Sequence, residues 1–141
     1  MKAVAIPRFG EADVLEAMEL PVPEPKAGEV AIDVAYAGAN YAEILYRRGA
    51  VDVPLPFVPG IEVAGRVRAL GEGVAGLEVG QPVAALTIVD SGGYAEVAFT
   101  DARLVVPAPA GVELEVAAGL PSNSTTAMLV WGPHRAPAPG R

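Results

Sequence analysis

From Val30 to Tyr36 the chain alternates: Val30, Ile32, Val34 and Tyr36 share one face, and Ala31, Asp33 and Ala35 the other. A period of two over that length predicts a half-buried strand. Shorter apolar runs predict further strands over Lys2–Ile6, Val14–Leu20, Ile61–Leu70, Pro82–Val89, Tyr94–Thr100 and Leu104–Val106. Glycine and proline separate these runs. Pro21, Pro23 and Pro25 close the second; Pro54, Pro56 and Pro59 stiffen a loop; Gly92-Gly93 makes a turn. Proline has no N–H for a ladder, so such clusters mark connections or sheet edges. Several short strands with this spacing and punctuation predict a mainly β barrel or sandwich.

Helical signals are few. Asn40 is a good N-cap, and Glu43 stands three residues on, where a capping box needs an acceptor. Tyr41, Ile44 and Leu45 then give a short helix an apolar stripe, and Gly49 ends it. Nearer the C-terminus, Glu113 to Leu120 reads as one helix, which Pro121 interrupts. Ser122 or Asn123 then caps a second helix through Ala127, Met128, Leu129 and Val130. The last stretch, GPHRAPAPGR, cannot continue a helix. The expected organisation is one domain over residues 1–130 and a Pro/Gly-rich tail over 131–141. No internal repeat is visible.

Composition narrows the function classes. With 52% hydrophobic and 19% charged residues, 141 residues can bury a real core. No run approaches the roughly 18–20 apolar residues of a membrane span. The start, MKAVAIPRFGEADV, lacks the apolar stretch and cleavage site of a signal peptide, which leads to an expectation of a cytoplasmic protein. There is no cysteine, which excludes disulfides, thiolate catalysis and cysteine-bound zinc. A net charge of -7 argues against nucleic-acid binding. His134, the single histidine, lies in the Pro-rich tail, where neither a metal nor a base role is expected.

Gly71, Gly73 and Gly76 spell a GxGxxG pattern. A dinucleotide site needs a helix opening at the third glycine, so that pyrophosphate meets free N–H groups. Here Leu77-Glu78-Val79-Gly80-Gln81-Pro82 follows, which leaves no room for that helix. A tight connection between strands is the expected role.

The segment PGIEVAGRVRALGEGV, Pro59 to Val74, resembles a signature of the medium-chain dehydrogenase/reductase superfamily. Gly60, Glu62, Gly65, Gly71 and Val74 fall on its offsets, and Ile61 stands where zinc-dependent members place a ligand histidine. Isoleucine has no lone pair, so the resemblance points to the zinc-free branch, typified by quinone oxidoreductases. AYAGANYAEILYRRG, GGYAE and PSNSTTAM extend the similarity across nearly the whole chain. Asn40 stands where zinc-dependent relatives carry a ligand cysteine.

The resemblance implies a GroES-like, partly open β-barrel with short helices, the substrate-side domain of these enzymes. It also implies a cofactor, NADP(H), held by a Rossmann domain that these 141 residues do not contain, and no zinc. By resemblance, Thr126 lies near the nicotinamide. Asn40 can hydrogen-bond a carbonyl oxygen or a ribose hydroxyl, and Tyr41 or Tyr46 can stack on a flat substrate or donate from a phenol. Glu62 is expected to accept from backbone donors.

Two functions from different classes follow. One is the substrate half of an NADPH-dependent quinone or enone reductase. The other is a non-redox module that binds an aromatic metabolite or a protein; a third reading is a non-redox cyclase or isomerase using Tyr41 or Tyr46 as an acid. A face that a second domain would have covered needs a partner chain or a second copy, and Leu129, Val130 and Trp131 are candidates for it.

Overall fold

β3 (Glu29–Ala37) lies between β4 (Glu62–Leu70) and β6 (Val97–Asp101) in a five-stranded antiparallel sheet. Beyond β4 come β5 (Pro82–Leu86) and β7 (Val105–Pro107), giving the order β6-β3-β4-β5-β7. β1 (Lys2–Ala5) and β2 (Glu16–Glu19) pair separately, and β1 touches the main sheet's approach through the bridge Ala3–Ala95. The sheet curls into a partly open GroES-like barrel, mainly β with short helices. This computed structural model describes residues 1–131. The tail from 132 to 141, with His134, lies outside the described residues.

Alternation sorts the core. Val30, Ile32, Val63, Val67, Val83, Ala85, Ala98 and Val105 pack together inside the barrel. The neighbouring positions Ala64 and Ala84 face the other way and meet Ala117 and Ala118 at the end of α2 (Leu114–Ala117). Methyl-sized side chains on both partners let that helix sit close to the sheet. Gly65 on β4 permits a different close approach, to the neighbouring strand β3, because a Cβ there would overlap the Asp33 carbonyl.

The expected alternation of β3 holds only in part. Val30 and Ile32 are buried and Val34 packs beside them, but Tyr36 is exposed. The pairing of β3 with β4 shifts register between Val34 and Tyr36, and a bulge of this kind re-aims the residues beyond it. Other boundaries move as well. Val14 is buried in a 3-10 turn, Ala12–Val14, so the second strand starts at Glu16. β5 stops at Leu86, where Thr87 turns inward to donate its hydroxyl to Gly60 O at 2.7 Å. β6 begins at Val97 rather than Tyr94, and β7 is set one residue later than expected.

The C-terminal helices break at a different place from the expected one. α2 ends at Ala117 and α3 (Leu120–Trp131) already contains Pro121. Proline is tolerated in a first helical turn, where its missing N–H has no partner to lose. The interruption falls at Ala118-Gly119 instead. The α3 helix continues through Trp131, so no break in secondary structure marks residue 130.

Candidate functional site

α1 (Tyr41–Arg47) starts at the end of β3, and its N-cap is Asn40, with extended backbone dihedrals. Asn40 N–H donates to Glu43 Oε2 at 2.8 Å, the Glu43 half of the capping box. The second Glu43 oxygen, Oε1, accepts from Ile61 N–H at 3.1 Å. Glu43 therefore clamps the start of α1 to the loop that leads into β4. The helix buries its charged residues, Glu43 and Arg47, and leaves Tyr41 exposed. This modifies the expected apolar stripe: Tyr41 is exposed, Ile44 and Leu45 are only half-buried, and the two buried charged residues are satisfied by backbone N–H groups, the Gly10 carbonyl and Glu11.

Glu62, the first residue of β4, is 1% exposed. Its Oε1 accepts from Asn40 Nδ2 at 2.8 Å and its Oε2 from Ser122 N–H, also at 2.8 Å. A carboxylate can only accept here, so the nitrogen side of the Asn40 amide must face Glu62. Two buried carboxylates thus hold Asn40, one at its backbone and one at its side chain. Room for Glu62 comes from Gly38, where a Cβ would come within 2.6 Å of Glu62 Cγ.

Tyr94 completes the cluster. Its backbone N–H donates to Pro59 O at 2.9 Å, which docks the Gly92–Tyr94 turn on the loop before β4. Burial pushes the phenol's pKa above its ordinary value, and the negative fields of Glu43 and Glu62 push it further. Both effects favour the neutral phenol over the phenolate.

The residues expected from the sequence do not all converge. Asn40 is central. Tyr41 is 67% exposed at the rim. Tyr46 packs on Phe57, ring centroids 5.1 Å apart. At about 100° per residue, Tyr41 and Tyr46 lie roughly 140° apart around the helix and cannot stack on one ligand. Thr126 is on α3 and exposed. It is Thr125 whose hydroxyl bonds a carbonyl one turn back, Pro121 O at 2.7 Å. Sequence reasoning missed Tyr94 and Ser122. The GGYAE segment carried Tyr94, but nothing local said that two carboxylates from elsewhere in the chain would raise its pKa.

Among the described residues no group of three or more His, Asp or Glu is placed to hold a metal ion. The Gly71–Gly76 segment is a turn between β4 and β5. Gly73 and Gly76 have φ of +81° and +80°, and no helix opens after them. This turn therefore presents no helix N-terminus to a dinucleotide's pyrophosphate.

Residues 26–110 match the alcohol dehydrogenase GroES-like domain. The human synaptic vesicle membrane protein VAT-1 homolog-like is 36% identical over 92% of this chain, which spans 31% of that protein. A probable quinone oxidoreductase of Schizosaccharomyces pombe is 34% identical over 88% of the chain, which covers 37% of its length. Among solved structures, the human VAT-1 homolog-like protein superposes with a TM-score of 0.88, covering 92% of this chain and 42% of that one. An Escherichia coli quinone oxidoreductase complexed with NADPH gives 0.83 at 26% identity, covering 93% and 40%. The chain thus spans about a third of the length of the curated relatives it matches. With its curled sheet, its PGIE loop and these matches, the chain belongs to the alcohol dehydrogenase GroES-like domain family and is similar to the quinone oxidoreductases and VAT-1-like proteins of the medium-chain dehydrogenase/reductase superfamily.

Proposed function

We propose that this domain forms the substrate side of a zinc-independent, NADPH-dependent oxidoreductase acting on quinones or enones. The observation that carries the reading is Asn40, whose side-chain amide buried Glu62 orients while Glu43 holds its backbone N–H. Reduction of a quinone or enone develops negative charge on a carbonyl oxygen, and a donor fixed beforehand stabilises that charge without reorganising. The Asn40 Nδ2 hydrogen that Glu62 does not take is such a donor. Exposed Tyr41 offers a ring face at the rim for a flat substrate.

The relative from Escherichia coli was solved with NADPH, a cofactor that supplies hydride. The Gly71–Gly76 turn does not fit its phosphates, and in this reading a Rossmann domain seats the nucleotide. The test is NADPH-dependent quinone reduction by the chain co-expressed with a Rossmann-type domain of a relative. Activity that falls about tenfold or more in Asn40→Ala, as loss of one oxyanion donor does elsewhere, supports the reading. Tight quinone binding with no reduction would favour the non-redox module.

Helix α3 bears on partners. It buries no residue, and Met128, Leu129 and Trp131 are 73%, 74% and 86% exposed. A cluster of this kind is rare on a monomer. We expect sedimentation to show self-association through α3; a clean monomer at high concentration counts against it.

A further inference from the structure

Glu62 joins three parts of the fold that are distant in sequence: β4, the N-cap of α1 and the first turn of α3. Both of its oxygens are engaged, one by Asn40 Nδ2 and one by Ser122 N–H, each at 2.8 Å. The side chain is 1% exposed, and Gly38 leaves the space it fills. Ser122 N–H is one of the first-turn helix donors that have no partner within the helix itself. Glu62 supplies that partner from another element, and the positive end of α3 favours its charge. α3 rests against β5 and α2 without fully burying any residue, so this bond adds a directed anchor at its start.

We infer that Glu62 is a positioning residue that couples α3 to Asn40, so that whatever binds along α3 is felt at the amide facing the substrate. The coupling follows from the valence of one carboxylate. A shift of Ser122 pulls Oε2, the planar group turns as a unit, and Oε1 re-aims the Asn40 amide. A glutamine cannot serve both donors, because one of its two terminal atoms is itself an NH₂ donor. The inference rests on the oxidoreductase reading only for what Asn40 then does; the coupling itself is independent of activity.

Amide hydrogen exchange on the 141-residue chain tests it without substrate or cofactor. In the unsubstituted protein Ser122 N–H is expected to be protected, although first-turn helix amides ordinarily exchange freely. Glu62→Gln should speed Ser122 exchange by about tenfold or more, the loss expected for a bond to a charged acceptor. Val67 N–H, which donates to Gln81 O inside the sheet, should keep its protection. Asn40→Ala should also speed Ser122 exchange, although Asn40 bonds Glu62 and not Ser122 itself. If Glu62→Gln loosens Val67 as well, Asn40→Ala decides the matter, because it leaves the carboxylate in place. Two results would overturn the inference: Ser122 exchanging freely in the unsubstituted protein, or Ser122 protection unchanged by Asn40→Ala. A positive exchange result with no quinone reduction would leave the coupling standing and remove only the proposed reaction.

Discussion

Gly60→Ala is expected to cost about 3–5 kcal/mol of stability, combining a strained backbone with overpacking. Gly60 has φ +103°, a region that L side chains rarely adopt. A Cβ there would stand 2.6 Å from Tyr94 N and 2.7 Å from Gly93 Cα. Both neighbours are backbone, and they are tied down: Gly93 N–H donates to Gly60 O at 3.0 Å and Tyr94 N–H to Pro59 O at 2.9 Å. Relief would have to break the bonds that dock the GGYAE turn on the loop before β4. Denaturant unfolding monitored by circular dichroism measures the loss. A midpoint unchanged by the substitution would mean that this loop is not packed as described. Gly73→Ala is the natural control. Its φ is also positive, at +81°, but nothing lies within 4 Å of its Cβ position. Only the backbone cost applies there, about 1 kcal/mol or slightly more.

Glu43→Ala ranks second, at about 2–4 kcal/mol. It removes the acceptor for two backbone donors, Asn40 N–H and Ile61 N–H. Ile61 is 4% exposed, so water cannot replace the lost partner there. Each donor left unpaired in a buried place costs about 1–3 kcal/mol, and relief of the buried negative charge offsets part of the sum. Glu43→Gln keeps one accepting oxygen and should lose about half as much by the same reckoning. It also has a signature that stability alone lacks. Burial is the largest cause of the raised Tyr94 pKa, followed by Glu43 and then Glu62. Removing the Glu43 charge should bring the Tyr94 midpoint down toward the ordinary phenol value without reaching it, since burial and Glu62 remain. A spectroscopic titration of tyrosinate, with Tyr94→Phe to assign the signal, reads the change. A Tyr94 midpoint that does not move would show that Glu43 lies too far away to belong to the cluster. For the pH dependence, a phenol held above its unfolded pKa contributes stability below that value and loses it as pH rises through the folded one.

Most strands were legible because sheet burial writes a period of two into the chain. Val30 and Ile32 announced the inner face of β3, and Val63, Val67 and Val83 did so for its neighbours. Asn40 and Glu43 were legible as a cap because that bond is local, three residues long. The exposure of Tyr36 was hidden, since a bulge depends on the partner strand's register and leaves no mark in the alternation. Pro121 misled for a related reason. Its penalty depends on where the helix starts, and packing of Ala117 and Ala118 on Ala64 and Ala84 ends α2 before the proline is reached. Tyr41 and Tyr46 looked interchangeable in sequence, but Phe57, across a proline-rich loop, engages one of them and leaves the other in solvent.

By itself the sequence determined the family, the barrel and the helix cap at Asn40. Those rest on patterns that repeat along a short stretch of chain: strand alternation, capping spacing and glycines at fixed offsets. Only the tertiary structure decided the site. Glu62 meets a residue 22 positions before it and another 60 positions after it, and the Tyr94 backbone docks on Pro59 from a separate turn. Bonds over such separations form once the curled sheet has brought their elements together, so no local pattern encodes them.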